Sequence, residues 1–240
     1  MDSVLRDLER ERSKMQADVN NMNRHYEKLV GFVREYIVST TIEWAKLVAS
    51  HPKALLLLVE TTRIVDESGY ASSGESEPIR FTTLQLVSGE VWDQLLYPTY
   101  SRQVQGTEYH GLVLADLQGK PTISEAWPAI VEAFEGRQVI IFGADWARRA
   151  IQTVYHTHAL KDVYCLHNKA KEYYGEFYEL SLEKILGYQG IDKKREDLKD
   201  SRDRLLMLAQ VINNLAAGMA KQPQEPEALN GLEDLSDHPF

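Results

Sequence analysis

Apolar residues in the first part of the chain fall at alternating steps of three and four: Leu5, Leu8, Met15, Val19, Met22, Tyr26, Leu29, Val33 and Tyr36. Only Arg12 interrupts them. This spacing predicts a helix with one apolar seam running over about four heptads, the pattern of a coiled coil. The positions between are charged or amide residues of both signs, as the solvated back of such a helix requires. Three readings follow for residues 5–36: self-association through the seam, docking with a helix of another protein, or a single amphipathic helix lying on its own domain. His51-Pro52 then ends the helical run, because proline lacks an amide donor and restricts the residue before it.

Beyond residue 50 the period changes. Ala54 to Glu60 is a nearly continuous apolar run, suited to a strand covered on both faces. Residues 66–78 are polar and rich in Gly and Ser, and read as a loop. Phe81, Thr83, Gln85 and Val87 alternate with Thr82, Leu84 and Leu86; Ser88-Gly89 makes a turn, and Val91 to Tyr97 returns as the second strand of a hairpin. A helix is expected over Ser124–Phe134, a buried strand over Gln138–Phe142, and a helix from about Asp145 to His156. Shorter helices are expected near 166–174 and 181–187. A long amphipathic one should run from Glu196 to about Ala217, with Leu198, Leu205, Leu208, Val211, Ile212 and Leu215 near one face. Strands first, then alternating strand and helix, indicate an α/β sheet of mixed direction.

The organisation is therefore a helical segment at 1–50, a globular domain at 51–218 and an acidic, Pro- and Gln-rich tail at 219–240. The tail lacks the apolar surface to fold alone. A net charge of −9 argues against a chain that coats nucleic acid through bulk charge. The single cysteine, Cys165, excludes an internal disulfide and a cysteine-rich zinc cluster. No apolar stretch approaches the length needed to span a bilayer, and the N-terminus has no signal-peptide core, so a cytoplasmic protein without membrane attachment is expected.

The candidate chemistry lies at the end of the first apolar run, where Glu60-Thr61-Thr62 follows Ala54–Val59. This stretch resembles the first motif of the DEDDh 3′–5′ exonuclease superfamily, Asp-x-Glu-Thr-Thr, with Leu58 at the aspartate position. Three further segments resemble the family in order: Tyr109-His110-Gly111-Leu112 with Pro121-Thr122 and Trp127-Pro128; Phe142-Gly143-Ala144-Asp145-Trp146-Ala147, similar to the second motif; and Arg195-Glu196-Asp197-Leu198-Lys199-Asp200-Ser201-Arg202, similar to the third. The resemblance covers roughly residues 40–217. It implies a ribonuclease H-like mixed sheet flanked by helices, here preceded by a long N-terminal helix.

In that family two Mg²⁺ or Mn²⁺ ions are held by acids from all three motifs, and a histidine deprotonates the attacking water. Carried over by position, the acids fall on Leu58, Glu60, Ala147 and Asp200, and the histidine falls on Arg195. Only Glu60 and Asp200 survive; Gly143 replaces the second-motif asparagine. The resemblance thus implies no required cofactor and at most one weakly held Mg²⁺ or Mn²⁺ on Glu60 and Asp200. Asp145 reads as a helix N-cap rather than a substitute ligand. His110, His156, His158 and His167 read as surface or packing residues. Arg148, Arg149, Lys193, Lys194, Arg195 and Arg202 flank the second and third motifs and are candidate contacts to DNA or RNA phosphates. Alternatively, Arg195 pairs internally with Glu60 or Asp200. The expected function is a catalytically degenerate exonuclease-like protein that binds nucleic acid or serves as a scaffold subunit of a nucleic-acid-processing assembly. A residual metal-dependent 3′–5′ exonuclease is the alternative.

Overall fold

The computed structural model describes residues 2–63, 76–154, 163–176 and 180–219. The expected tail, the centre of the 66–78 loop, His156 and His158 lie outside these residues. The chain divides into two compact units, Met1–Thr40 and Thr41–Phe240. The first is helical. It is the larger part of α1 (Asp2–Ser50), and every described side chain from Glu9 to Val33 is solvent-exposed.

The second unit begins with the last turns of α1, where Thr41, Ala45 and Val48 are buried. The helix stops at Ser50, before Pro52, as expected. Then come β1 (Ala54–Thr61), β2 (Pro78–Gln85) and β3 (Val91–Leu95), followed by a single helical turn α2 (Thr107–His110). A 3₁₀ turn (Leu114–Leu117) leads to α3 (Ile123–Phe134), β4 (Gln138–Ile141) and α4 (Ala144–Val154). The chain continues through β5 (Val163–Cys165), α5 (Leu166–Tyr174) and α6 (Leu182–Tyr188). A second 3₁₀ turn (Arg195–Leu198) precedes α7 (Ser201–Ala216).

The five strands form one sheet in the order β3-β2-β1-β4-β5, antiparallel through β3, β2 and β1, and parallel from β1 through β4 to β5. The sheet is mixed, as the strand-then-alternation pattern predicts. β1 is central, which is why its apolar run is nearly unbroken. Successive side chains on a strand point to opposite faces. Leu55 and Leu57 pack with Phe81, Ile123, Ile130, Ile141, Ala144, Ala147 and Ile151, so α3 and α4 cover this face. Leu56, Leu58 and Glu60 point the other way, and α7 packs on β1 and β2, burying Leu205, Leu208, Val211, Ile212 and Leu215.

Two expectations need correction. The long helix from Glu196 is broken. Asp200 has an extended backbone and caps a helix that starts at Ser201, leaving Arg195–Leu198 as a separate 3₁₀ turn. β5 is absent from the sequence reading, because three residues of alternating exposure give no usable pattern. No helix among the described residues is long and apolar enough to cross a membrane.

Candidate functional site

Glu60, an acid of the first motif by resemblance, is carried by β1 on the face that α7 covers. It is only 5% exposed. The Ser201 hydroxyl, at the first residue of α7 and fully buried, donates to Glu60 Oε1 at 2.9 Å. One turn along the same helix, the Arg204 guanidinium donates to that same oxygen through Nη2, in an ion pair whose arginine side chain is 15% exposed. A carboxylate taken out of water needs such partners, since an unpaired buried charge is strongly destabilising. The pair joins residues 144 positions apart and anchors α7 to the centre of the sheet. Arg204 Nε is buried and has no hydrogen-bond partner, so the guanidinium is not fully satisfied.

The hairpin register extends the site sideways. Glu60 lies opposite Arg80 and Leu58 opposite Thr82, and these in turn pair with Leu95 and Asp93 on β3. Arg80 grips Asp93 in a forked pair, Nε to Oδ1 at 2.7 Å and Nη2 to Oδ2 at 3.1 Å, and Thr82 Oγ1 donates to the same Oδ1 at 2.8 Å. Burial opposes the charge on Arg80. The hydrogen bonds and charge of Asp93, with Glu60 and Asp200 further off, outweigh it and hold the guanidinium pKa above its usual value. One sheet face thus sets two guanidinium groups, Arg80 and Arg204, among the carboxylates of Glu60, Asp93 and Asp200.

Asp200, an acid of the third motif by resemblance, has a local contact. Its side chain accepts from the backbone N–H groups of Arg202 (2.8 Å) and Asp203 (3.1 Å), capping α7. Ala147, at the second-motif aspartate position, is 2% exposed. It packs with Leu55, Leu57 and Ile141, on the opposite side of β1 from Glu60. Leu58 is half-buried beside Glu60 and brings no oxygen. A two-ion centre needs carboxylates converging from several motifs. Here one acid holds a guanidinium, the other caps a helix, and the remaining positions are apolar, so these residues do not fit the family's metal pair. Among the described residues no group of three or more His, Cys, Asp or Glu side chains is placed to hold a metal ion.

The described guanidinium partner of Glu60 is Arg204; the side chain of Arg195, expected to pair with Glu60 or Asp200, lies outside the described residues. Asp145 is not an N-cap but sits inside the first turn of α4, paired with Arg148 at 2.9 Å. Five of the six candidate phosphate-binding residues are described, and they lie on two segments. Arg148 and Arg149 belong to α4, which packs against Leu55 and Leu57. Lys193, Lys194 and Arg202 are exposed along the approach to α7, which anchors to Glu60 on the other face. His110 is buried and structural as expected. Its Nδ1 accepts from Leu112 N–H at 3.1 Å, which leaves Nε2 to donate to Gln105 O, also at 3.1 Å. His167 rests edge-on against Phe142 and accepts from Leu180 N–H at 3.4 Å.

Arg204, Ser201, Arg80 and Asp93 escaped the sequence reading. Their signal was present: Ser201 and Arg204 stand one and four residues beyond the third-motif aspartate, and Arg80 faces Glu60 once the hairpin is registered against β1.

No protein-family model matches the sequence, and no curated protein does. Solved structures do. The structure of cell-death related nuclease 4 superposes with a TM-score of 0.50 at 13% identity, over 71% of this chain and 66% of that one, so the likeness spans just under two thirds of the nuclease's length. The RNase domain of the yeast Pop2 protein gives a TM-score of 0.51 at 12% identity, over 78% of this chain and 85% of that one. A yeast NOT1 MIF4G domain structure co-crystallized with CAF1 gives 0.49 at 11% identity, over 77% of this chain and 87% of that one. At such identities the likeness speaks for architecture alone. Sheet order and flanking helices agree with the first two of these structures: the chain has a ribonuclease H-like fold, a mixed five-stranded sheet flanked by helices, like that of the two nuclease structures.

Proposed function

We propose that this protein is a catalytically degenerate member of the exonuclease fold, working as a nucleic-acid-binding or scaffold subunit rather than as a nuclease. The observation that carries this reading is the occupation of Glu60 by Arg204 and Ser201. In a two-metal exonuclease this carboxylate must face divalent cations and the scissile phosphate. A guanidinium on the same oxygen repels a cation and satisfies the charge permanently. Leu58, Ala147 and Arg195 remove the other functions required by position. The reading places the protein in the cytoplasm. Its nucleic-acid contacts are assigned to Lys193, Lys194 and Arg202, exposed at the approach to α7 and suited to phosphate oxygens rather than to bases.

The test is a degradation assay on 3′-labelled single strands of DNA and RNA, in Mg²⁺ and in Mn²⁺. No shortening is expected in either metal. Shortening that disappears in Glu60→Ala would make the protein a working exonuclease and overturn the proposal. A binding titration on the same strands probes the nucleic-acid role: charge reversal at Lys193 and Arg202 should weaken binding and flatten its salt dependence.

A further inference from the structure

The helical unit carries an apolar seam along its own length. Register fixes its form. With Val19 at heptad position a, positions a are Arg12, Val19, Tyr26 and Val33, and positions d are Met15, Met22, Leu29 and Tyr36. Every one of these side chains is exposed, including Met22 at 65%, Leu29 at 61% and Val33 at 45%. Leu5 and Leu8 continue the a and d pattern in the sequence. The flanking e and g positions are graded along the helix. Toward the N-terminus they are Glu9, Glu11, Gln16 and Asp18; toward the C-terminal end they become Val30, Phe32 and Ile37.

We infer that this seam pairs with a second copy of the same chain, as a parallel, in-register, two-stranded coiled coil. The gradient fixes the orientation. In parallel register, position g meets position e of the next heptad in the other copy. Phe32 then meets Ile37, His25 meets Val30, Asp18 meets Asn23, Glu11 meets Gln16 and Val4 meets Glu9, so the most apolar pair is matched and no like charges are opposed. Turned antiparallel with the seams fully overlapped, Glu9 and Glu11 would face Val30 and Phe32, stripping carboxylates of water for no partner. Strand number follows from the core: β-branched Val19 and Val33 at a, with Met15, Met22 and Leu29 at d, favour two helices. Arg12 is the one charged core position. In parallel register the hole that receives it is lined by Glu11 of the second copy, which supplies the counter-charge, so Arg12 fixes alignment at a cost in affinity.

The experiment uses the full chain, in a Cys165→Ser background where a single cysteine is introduced. Sedimentation at tens of micromolar should give twice the 27.4 kDa chain mass; a monomer, a trimer or a tetramer overturns the proposal. Met22→Asp combined with Leu29→Asp should give a monomer whose tryptophan emission is unchanged, since all four tryptophans, Trp44, Trp92, Trp127 and Trp146, lie in the second unit. A dimer that survives these charges overturns it. Met15→Cys reads orientation, because parallel register sets Met15 beside its own copy and antiparallel register sets it beside Tyr26. Rapid disulfide formation by Met15→Cys alone is expected; a dimer in which it stays reduced under oxidation refutes parallel pairing. Arg12→Leu should tighten dimerisation by roughly tenfold or more, by removing the charged layer; an unchanged constant contradicts the register. These outcomes are independent of the Glu60 site, so either proposal can fail without the other.

Discussion

Replacing Arg204 with methionine tests whether the Glu60 pair is structural. The substitution keeps most of the side-chain volume and removes the guanidinium, leaving a carboxylate that is 5% exposed with Ser201 as its remaining close donor and Arg80 across the strand. Breaking a buried pair from one side typically costs ~3–5 kcal/mol, because an uncompensated charge is left behind. The hydroxyl and the neighbouring arginine offset part of this, so about 3 kcal/mol is expected. A unit of this size loses roughly 2–3 kcal/mol of stability per molar urea, which places the midpoint about 1 M lower. Tryptophan emission is the appropriate probe, since all four tryptophans report on the second unit. The double variant Glu60→Gln/Arg204→Met should regain most of the loss. Neither charge of the pair remains in it, and the orphaned Arg204 Nε disappears as well. If Arg204→Met unfolds within about 1 kcal/mol of the unmodified protein, or if the double variant is no better than the single, then Glu60 does not depend on this pair. The electrostatic argument against a metal at Glu60 then fails too.

Ala147→Asp, the reversion toward a working second motif, should destabilise the second unit by about 3 kcal/mol or more, because it places a carboxylate in the cluster of Leu55, Leu57 and Ile141; an unfolding titration with little change would mean that the position opens to solvent. Asp200→Ala should cost about 1 kcal/mol, whereas Asp200→Asn and Asp200→Ser keep most of it, since the role is to cap α7; equal losses in all three, by the same titration, would assign Asp200 a role that requires its charge. Burial pushes the Tyr174 phenol up to about 12. A folded-state pKa above the unfolded value of about 10 gives stability that is complete below pH ~10 and lost as pH rises toward 12, about 2–3 kcal/mol in all. Tyr174→Phe should remove that part of the alkaline loss, and an unchanged alkaline profile in denaturant titrations would refute the assignment.

Much of the architecture was legible because the sheet is built from strong local patterns. The Ala54–Val59 run announces a central strand, and Ser88-Gly89 between alternating segments announces the hairpin. What failed was short or non-local. β5 offers three residues and no period. The start of α7 was set too early because Leu198 extends the apolar face across a break, although Asp200-Ser201 followed by Asp203 is a capping signal in its own right. Glu60 and Asp200 stand out in the sequence through the resemblance, and Ser201 and Arg204 lie close to Asp200 in sequence, but the pairing of Arg204 with Glu60 does not follow from the sequence. Arg204 reaches Glu60 only because α7 lies across β1, and no local rule relates residues so far apart in sequence.

Just beyond Glu60, the strands β1 and β2 are clasped where they part. Thr62 N–H donates to Glu77 O at 2.8 Å, Glu77 N–H donates to Thr62 Oγ1 at 3.0 Å, and Ser76 Oγ donates to Arg63 O at 3.1 Å. The buried Glu77 carboxylate also accepts the backbone N–H groups of Thr99, Tyr100 and Ser101, fastening this foot to the segment after β3. The foot of the β1–β2 pair is therefore held by bonds among Thr62, Arg63, Ser76 and Glu77. Through one buried carboxylate that foot is also tied to Thr99, Tyr100 and Ser101, so Glu77 is a single point at which three stretches of chain, far apart in sequence, are locked together.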